Sequence, residues 1–229
     1  MRVEPHEVDS FVHIIKRGAR GMPITRSDAD RKRFGTLLYY LNDEYQGENW
    51  ERDIRDLQEY ERPDTWPKRD PLVAIQAWVL MPNHFHLILK QIKNDGISRF
   101  MQRLGGSMSA HFNAKYKEQG SIFQGAYKGR TIGSDEYLRW VAPYVMVKNV
   151  FELYSGGFIR AVQNFERAWK WGTETYQYSS LPDFSQGRST PIIDITLMQM
   201  YSSREFKALA RDMITGHAAK KGLDVSNLE

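Results

Sequence analysis

Between Leu72 and Ile92 the chain reads as a β-hairpin: a β-favouring run to Met81, a Pro82-Asn83 break, and a second run from His84. Successive side chains on a strand point to opposite faces. In the second run Phe85, Leu87 and Leu89 make one face wholly apolar, so that face should pack on helices. His84, His86 and Ile88 share the other. Two imidazoles at this spacing stand about 7 Å apart along the strand, close enough to reach one divalent ion. On a strand this apolar they carry a desolvation cost unless something binds them. A His-x-His pair alone is more often a solvated strand face, so the rest of the chain decides.

The flanking pattern places this hairpin in a larger layer. Phe11 to Ile15 reads as a strand ended by Gly18 and the Gly21-Met-Pro23 turn. Ser27 can cap a helix carrying Phe34, Leu37, Leu38 and Leu41 at helical spacing. A short helix is expected around Arg52 to Tyr60. Ser98 to Tyr116 reads as a helix with Phe100, Met101, Leu104, Met108 and Phe112 inward, weakened in its middle by Gly105-Gly106. A strand region spans Ser121 to Ile132. Ser134 then caps a helix that Pro143 should kink or restart. Phe158 to Trp171 reads as one further helix, Tyr176 to Pro182 as a closing loop, and Ile193 to about Ala219 as mostly helical with an unordered end. The order β, α, β-hairpin, α, β, α suits an α+β fold with a ferredoxin-like antiparallel sheet and helices on one face. Residues 1–183 are expected to form the catalytic domain, with an acidic insertion at about 42–70. Residues 184–229 are expected to be a linker and a C-terminal helical extension.

Composition narrows the chemistry. The chain has no cysteine among its 229 residues, which excludes disulfides and thiolate metal sites. The start of the sequence lacks the apolar stretch of a signal peptide and no run reaches transmembrane length, so a soluble cytoplasmic protein is expected. A net charge of +4 says little, but its distribution says more. From Asn42 to Asp64 nine acids face three arginines, whereas Arg99 to Arg130 carries six bases against Glu118. That basic segment, following the histidines, points to an anionic substrate.

Together these residues resemble the single-tyrosine HUH transposases, in particular their REP-associated tyrosine transposase branch. The likeness runs from about Phe11 to Leu181. It is carried by Val12-His-Ile-Ile-Lys-Arg-Gly18, Ala77-Trp-Val-Leu-Met-Pro-Asn-His-Phe-His-Leu-Ile-Leu89, and Gly120-Ser-Ile-Phe-Gln124 with Tyr127-Lys128. Asp135-Glu-Tyr-Leu138 leading to Tyr144-Val145, and Tyr178-Ser-Ser-Leu181, complete it.

The resemblance implies an HUH-type sheet on which His84, His86 and a helix-borne polar side chain hold Mg²⁺ or Mn²⁺ to polarise a scissile DNA phosphate. Imidazole ligands by themselves favour softer ions, so availability would select the metal. It implies a tyrosine nucleophile, a 5′-phosphotyrosine intermediate and a free 3′-hydroxyl, so the phosphodiester bond is exchanged and not hydrolysed. Single-stranded or hairpin DNA is the implied partner, with a homodimer as a further expectation. Tyr144 stands where the family carries its tyrosine, and Tyr137 is the second candidate. The family usually places Asn or Gln four residues later, where this chain has Lys148 followed by Asn149. Lys148 is therefore expected to contact phosphate, and Asn149 to ligate if the Pro143 kink or a π-bulge changes the helical phase. Expected DNA contacts are Lys16, Arg17, Arg99, Arg103, Lys115, Lys117, Lys128 and Arg130. A C-terminal set, Arg204, Lys207, Arg211, Lys220 and Lys221, offers a grip for DNA or a second protomer. Lys148 at the ligand position motivates the alternative, a domesticated hairpin-binding protein that no longer cuts.

Overall fold

The computed structural model describes residues 6–220. The expectations for the first residues of the chain, for its unordered end and for Lys221 fall wholly or partly outside them. Strands β1 (Phe11–Arg17), β2 (Val73–Met81), β3 (His84–Gln91) and β4 (Lys128–Ile132) form an antiparallel sheet in the order β2-β3-β1-β4. Helix α1 (Asp28–Tyr40) connects β1 to β2, with α2 (Trp50–Asp53) in the connection, and α3 (Gly96–Tyr116) connects β3 to β4. Each connection passes over an intervening strand, which is the ferredoxin-like arrangement that the element order implied.

Sequence dictates these elements locally. Ser27 accepts from the Asp30 amide while the Asp30 carboxylate accepts from the Ser27 amide, a reciprocal cap that fixes the start of α1. Asn42 pins the end of that helix to β2, donating to the Val73 carbonyl at 2.8 Å and accepting from the Leu72 and Val73 amides. Phe85, Leu87 and Leu89 are fully buried against Phe34, Leu37 and Leu38 of α1 and Phe100, Met101 and Leu104 of α3. Each such side chain contributes about 1.5–3 kcal/mol of transfer free energy, so the apolar face of β3 holds this layer.

The other face is covered as well. After β4 come α4 (Asp135–Pro143), a π-helical turn (Tyr144–Lys148), α5 (Asn149–Glu152), α6 (Gly157–Gln163), α7 (Phe165–Glu174), α8 (Leu181–Gln186) and α9 (Ser203–Lys220). Their apolar sides share one core with Ala77, Val79, Met81 and Ile88. The two crossover helices thus occupy one face as expected, while the later helices roof much of the second. Phe206, Ala210, Ile214 and Ala218 put α9 into this same core. The segment 178–180 closes the free edge of β2: the Leu80 amide donates to Tyr178 and the Ser180 amide to Trp78.

Three local expectations shift, the first being the strand region expected over 121–132, which narrows to β4 at 128–132. The helix expected over 158–171 is two, because Asn164 leaves helical geometry at φ −122°, ψ 46°. The short helix of the insertion is a single turn at 50–53. Pro143 ends α4 as expected, and the chain widens there into the π-turn. Among the described residues no helix is long and apolar enough to cross a membrane.

Candidate active site

Strand alternation puts His84 and His86 of β3 and His13 and Arg17 of β1 on the roofed face. The pairing sets Ile15 opposite His86 and Arg17 opposite His84, which makes His13 a diagonal neighbour of His86. The rings lean together: His84 and His86 centroids lie 5.0 Å apart, and His13 stacks on His86 at 5.2 Å. His13 Nε2 and His86 Nδ1 share a hydrogen bond of 2.9 Å. The His84 Nδ1–H donates to Asn83 Oδ1 at 2.7 Å, and Asn83 is oriented for this by donating its own amide to the Gly21 carbonyl.

The bond to Asn83 fixes the tautomer of His84. With its Nδ1 proton on Asn83, neutral His84 presents a lone pair at Nε2. His86 does the same when its Nδ1–H donates to His13. A ring whose second nitrogen is held by a partner is the usual state of a histidine that ligates metal. Burial, and then the Arg130 charge, hold His13 down at about 4. Burial with Arg17 and Lys148 holds His84 at about 4 against the pull of Glu152, and His86, only 4 % exposed, lies at about 2. All three are neutral at pH 7. In the unfolded chain they take up protons near the ordinary value of about 6.5, so acid favours unfolding. Their stabilising contribution is complete above that value and declines as pH falls toward 4. A thermal melt in a chelator should therefore show a flat midpoint from pH 8 to 7 and a falling one below 6.5. A midpoint unchanged down to pH 5 would contradict this electrostatic picture.

Tyr144 opens the π-turn and lies edge-on to both inner imidazoles, with ring centroids 6.2 Å from His13 and 6.2 Å from His86. The Lys148 ammonium sits 5.2 Å from the Tyr144 ring and pairs with Glu152 at 2.5 Å. Both charges act on His84. Asn149 is 1 % exposed and donates its amide to the Val145 carbonyl at 3.2 Å. A two-imidazole donor set fits a divalent cation. Lys148, ion-paired and cationic, does not extend it, and among the described residues no group of three His, Asp or Glu side chains converges as a metal cluster.

Residues 68–148 match the family model of IS200-like transposases. The match covers about a third of the chain. The segment contains the β2–β3 hairpin, both β3 histidines and Tyr144, and it ends on Lys148; His13 lies upstream of it. The likeness to single-tyrosine HUH transposases read from the sequence is borne out. The chain is also similar to a solved structure of a REP-associated tyrosine transposase bound to a REP hairpin, at 15 % identity and a TM-score of 0.46, over 86 % of this chain and 94 % of that one. No curated protein matches the chain.

The basic residues divide between the two faces of the sheet. Arg17, Lys128 and Arg130 are exposed on the histidine face, with Lys128 opposite Ile15 and Arg130 opposite His13. Helix α3 lies on the far face, and with it Arg99, Arg103 and Lys115. Arg99 pairs with Glu44 at 2.9 Å, Arg103 donates to the Asp43 carbonyl, and Lys115 pairs with Asp30 at 2.6 Å. The acidic insertion and the basic segment therefore neutralise one another in part, where the sequence suggested a basic track beside the histidines. Lys117 caps the end of α3 in a left-handed conformation. Lys16 also faces α3: its stem passes over Gly105, its ammonium donates to the Gly125 carbonyl at 3.0 Å, and it lies over Phe123. Lys207 and Arg211 both pair with Glu166, tying α9 to α7.

Sequence reasoning missed His13 and Glu152. Glu152 carried a signal, since it follows Lys148 by four residues. His13 carried half of one: alternation along Phe11-Val-His-Ile gave its face, but only the β1–β3 register gave its neighbour.

Proposed function

We propose that this protein cuts and rejoins DNA through Tyr144, acting on single-stranded or hairpin substrates. The observation that carries the reading is the phenol ring of Tyr144 standing 6.2 Å from His86, on the face where the β3 histidines converge. The family of the 68–148 segment supports a DNA transposase. In this reading His84 and His86 would hold Mg²⁺ or Mn²⁺ through their Nε2 atoms. The metal would supply Lewis-acid polarisation of the scissile phosphate.

The remaining work falls to the chain. The Tyr144 hydroxyl gives its proton to water as its oxygen bonds to phosphorus and the bond to the 3′-oxygen breaks, giving a 5′-phosphotyrosine and a 3′-hydroxyl protonated in turn from water. A later 3′-hydroxyl reverses the exchange, so no external energy source is needed. Lys148, held by Glu152, places a positive charge beside the ring, where it stabilises the phenolate and the phosphate it approaches. Asn149 donates to the Val145 carbonyl through Nδ2, so Oδ1 is the atom with which it would join the donor set. Arg17, Lys128 and Arg130 hold backbone phosphates without reading sequence.

The test is incubation of the full chain with end-labelled hairpin oligonucleotides and Mn²⁺, followed by denaturing electrophoresis. A protein-linked label that depends on metal is expected. The Lys148–Glu152 pair favours a second reading, a hairpin-binding protein that has lost cleavage. Hairpin binding that survives His84→Ala and Tyr144→Phe, with no linkage formed by the parent protein, would establish that alternative.

A further inference from the structure

Trp140 is the one tryptophan among the described residues that is strongly exposed, at 44 %. Its helix does not need it for packing, because α4 is anchored through Leu138, Val141 and Ala142. It follows Tyr137 by three residues and precedes Tyr144 by four, so the three rings share one side of the helix. Tyr137 and Trp140 are parallel within 11° at 6.1 Å, and Trp140 and Tyr144 within 16° at 5.4 Å. These are offset spacings, in which the rings are slid past one another and part of each face stays open. A cation closes each end of the strip: Arg130 lies 5.1 Å from the Tyr137 ring and Lys148 lies 5.2 Å from that of Tyr144. The carboxylates of the first turn, Asp135 and Glu136, sit at the helix N-terminus, where the dipole favours them.

Planar apolar surface between cations is the complement of an unpaired nucleobase between phosphates. We propose that the Tyr137-Trp140-Tyr144 strip, with Trp140 at its centre, is a stacking platform for a base of single-stranded DNA. It leads the strand across Tyr144. The position of that base next to the scissile phosphate rests on the reading of Tyr144 given above; the stacking itself does not.

The experiment measures binding alone. Fluorescence anisotropy in a chelator compares the wild-type chain, Trp140→Ala, Trp140→Leu and Trp140→Phe on an oligothymidylate of about twenty nucleotides. The control is an abasic oligomer of equal length and charge. Stacking on one aromatic is worth enough that Trp140→Ala and Trp140→Leu should weaken oligothymidylate binding roughly 5- to 100-fold. Binding of the abasic oligomer should change less than about twofold, and Trp140→Phe should restore most of the loss. Equal losses on both oligomers, unchanged binding in Trp140→Ala, or no oligothymidylate binding by the wild type would each overturn the proposal. So would a Trp140-dependent dimer in light scattering with unaltered DNA affinity. Covalent linkage through Tyr144 with binding indifferent to Trp140 would sink only the platform, whereas a Trp140 effect without linkage would sink only the catalytic reading.

Discussion

Tyr144→Phe should remove the covalent protein–DNA product of the proposed reaction and leave the fold and the DNA affinity in place. The substitution deletes one oxygen. The ring stays, and with it the offset contact to Trp140, the edge contacts to His13 and His86, and the Lys148 ammonium beside it. Stability should therefore change by no more than about 0.5 kcal/mol, and oligonucleotide affinity by less than about twofold. In the proposed strand transfer the deleted oxygen carries the phosphate, and loss of a nucleophile typically costs on the order of 10⁴-fold or more. Linkage of labelled DNA should fall below detection in denaturing gels. Tyr137→Phe is the control, since Tyr137 lies beyond Trp140 and touches neither imidazole among the ring contacts. Linkage that persists in Tyr144→Phe and vanishes in Tyr137→Phe would transfer the role to Tyr137.

The sheet and the first helical layer were legible because their signals are local. Strict alternation from His84 to Leu89 fixes both faces of β3, and the Ser27–Asp30 cap with Phe34, Leu37 and Leu38 fixes α1. Asn164 shows where that legibility stops: it breaks a helix without interrupting the apolar periodicity around it. The second core was harder to see, because nothing in the sequence of α9 says that Phe206 and Ile214 share a core with Val79 and Ile88. For the site, His84, His86 and Tyr144 follow from spacing and from family order, while His13 follows from register, which a single chain does not display. Charge misled for a related reason. Opposite runs around Asp43–Glu44 and Arg99–Arg103 are far apart in sequence and adjacent in space, so each satisfies the other.

His86→Ala should abolish metal binding at this site, and His13→Phe should weaken it without dismantling it. His86 contributes one of two imidazoles, and a metal supplies several kcal/mol of charge stabilisation, so its removal should cost about 10³-fold in strand transfer. The effect of His13 is indirect. Neutral His86 can carry its proton on either nitrogen, and only the Nδ1–H form leaves Nε2 open to a cation. When His13 Nε2, 2.9 Å away, acts as the acceptor, it selects that form. Phenylalanine keeps the stacking bulk and removes the acceptor, so Mn²⁺ affinity should drop roughly 10- to 100-fold, the usual cost of losing such an outer partner. His13→Gln restores an acceptor oxygen and should recover much of that affinity. A purely structural His13 predicts a different pattern, in which the melting midpoint falls in both variants and metal affinity follows it. Calorimetric titration with Mn²⁺ separates the two. Equal affinity in His13→Phe and wild type would show that His86 needs no partner, and the tautomer argument would then fail while the two-imidazole site stood.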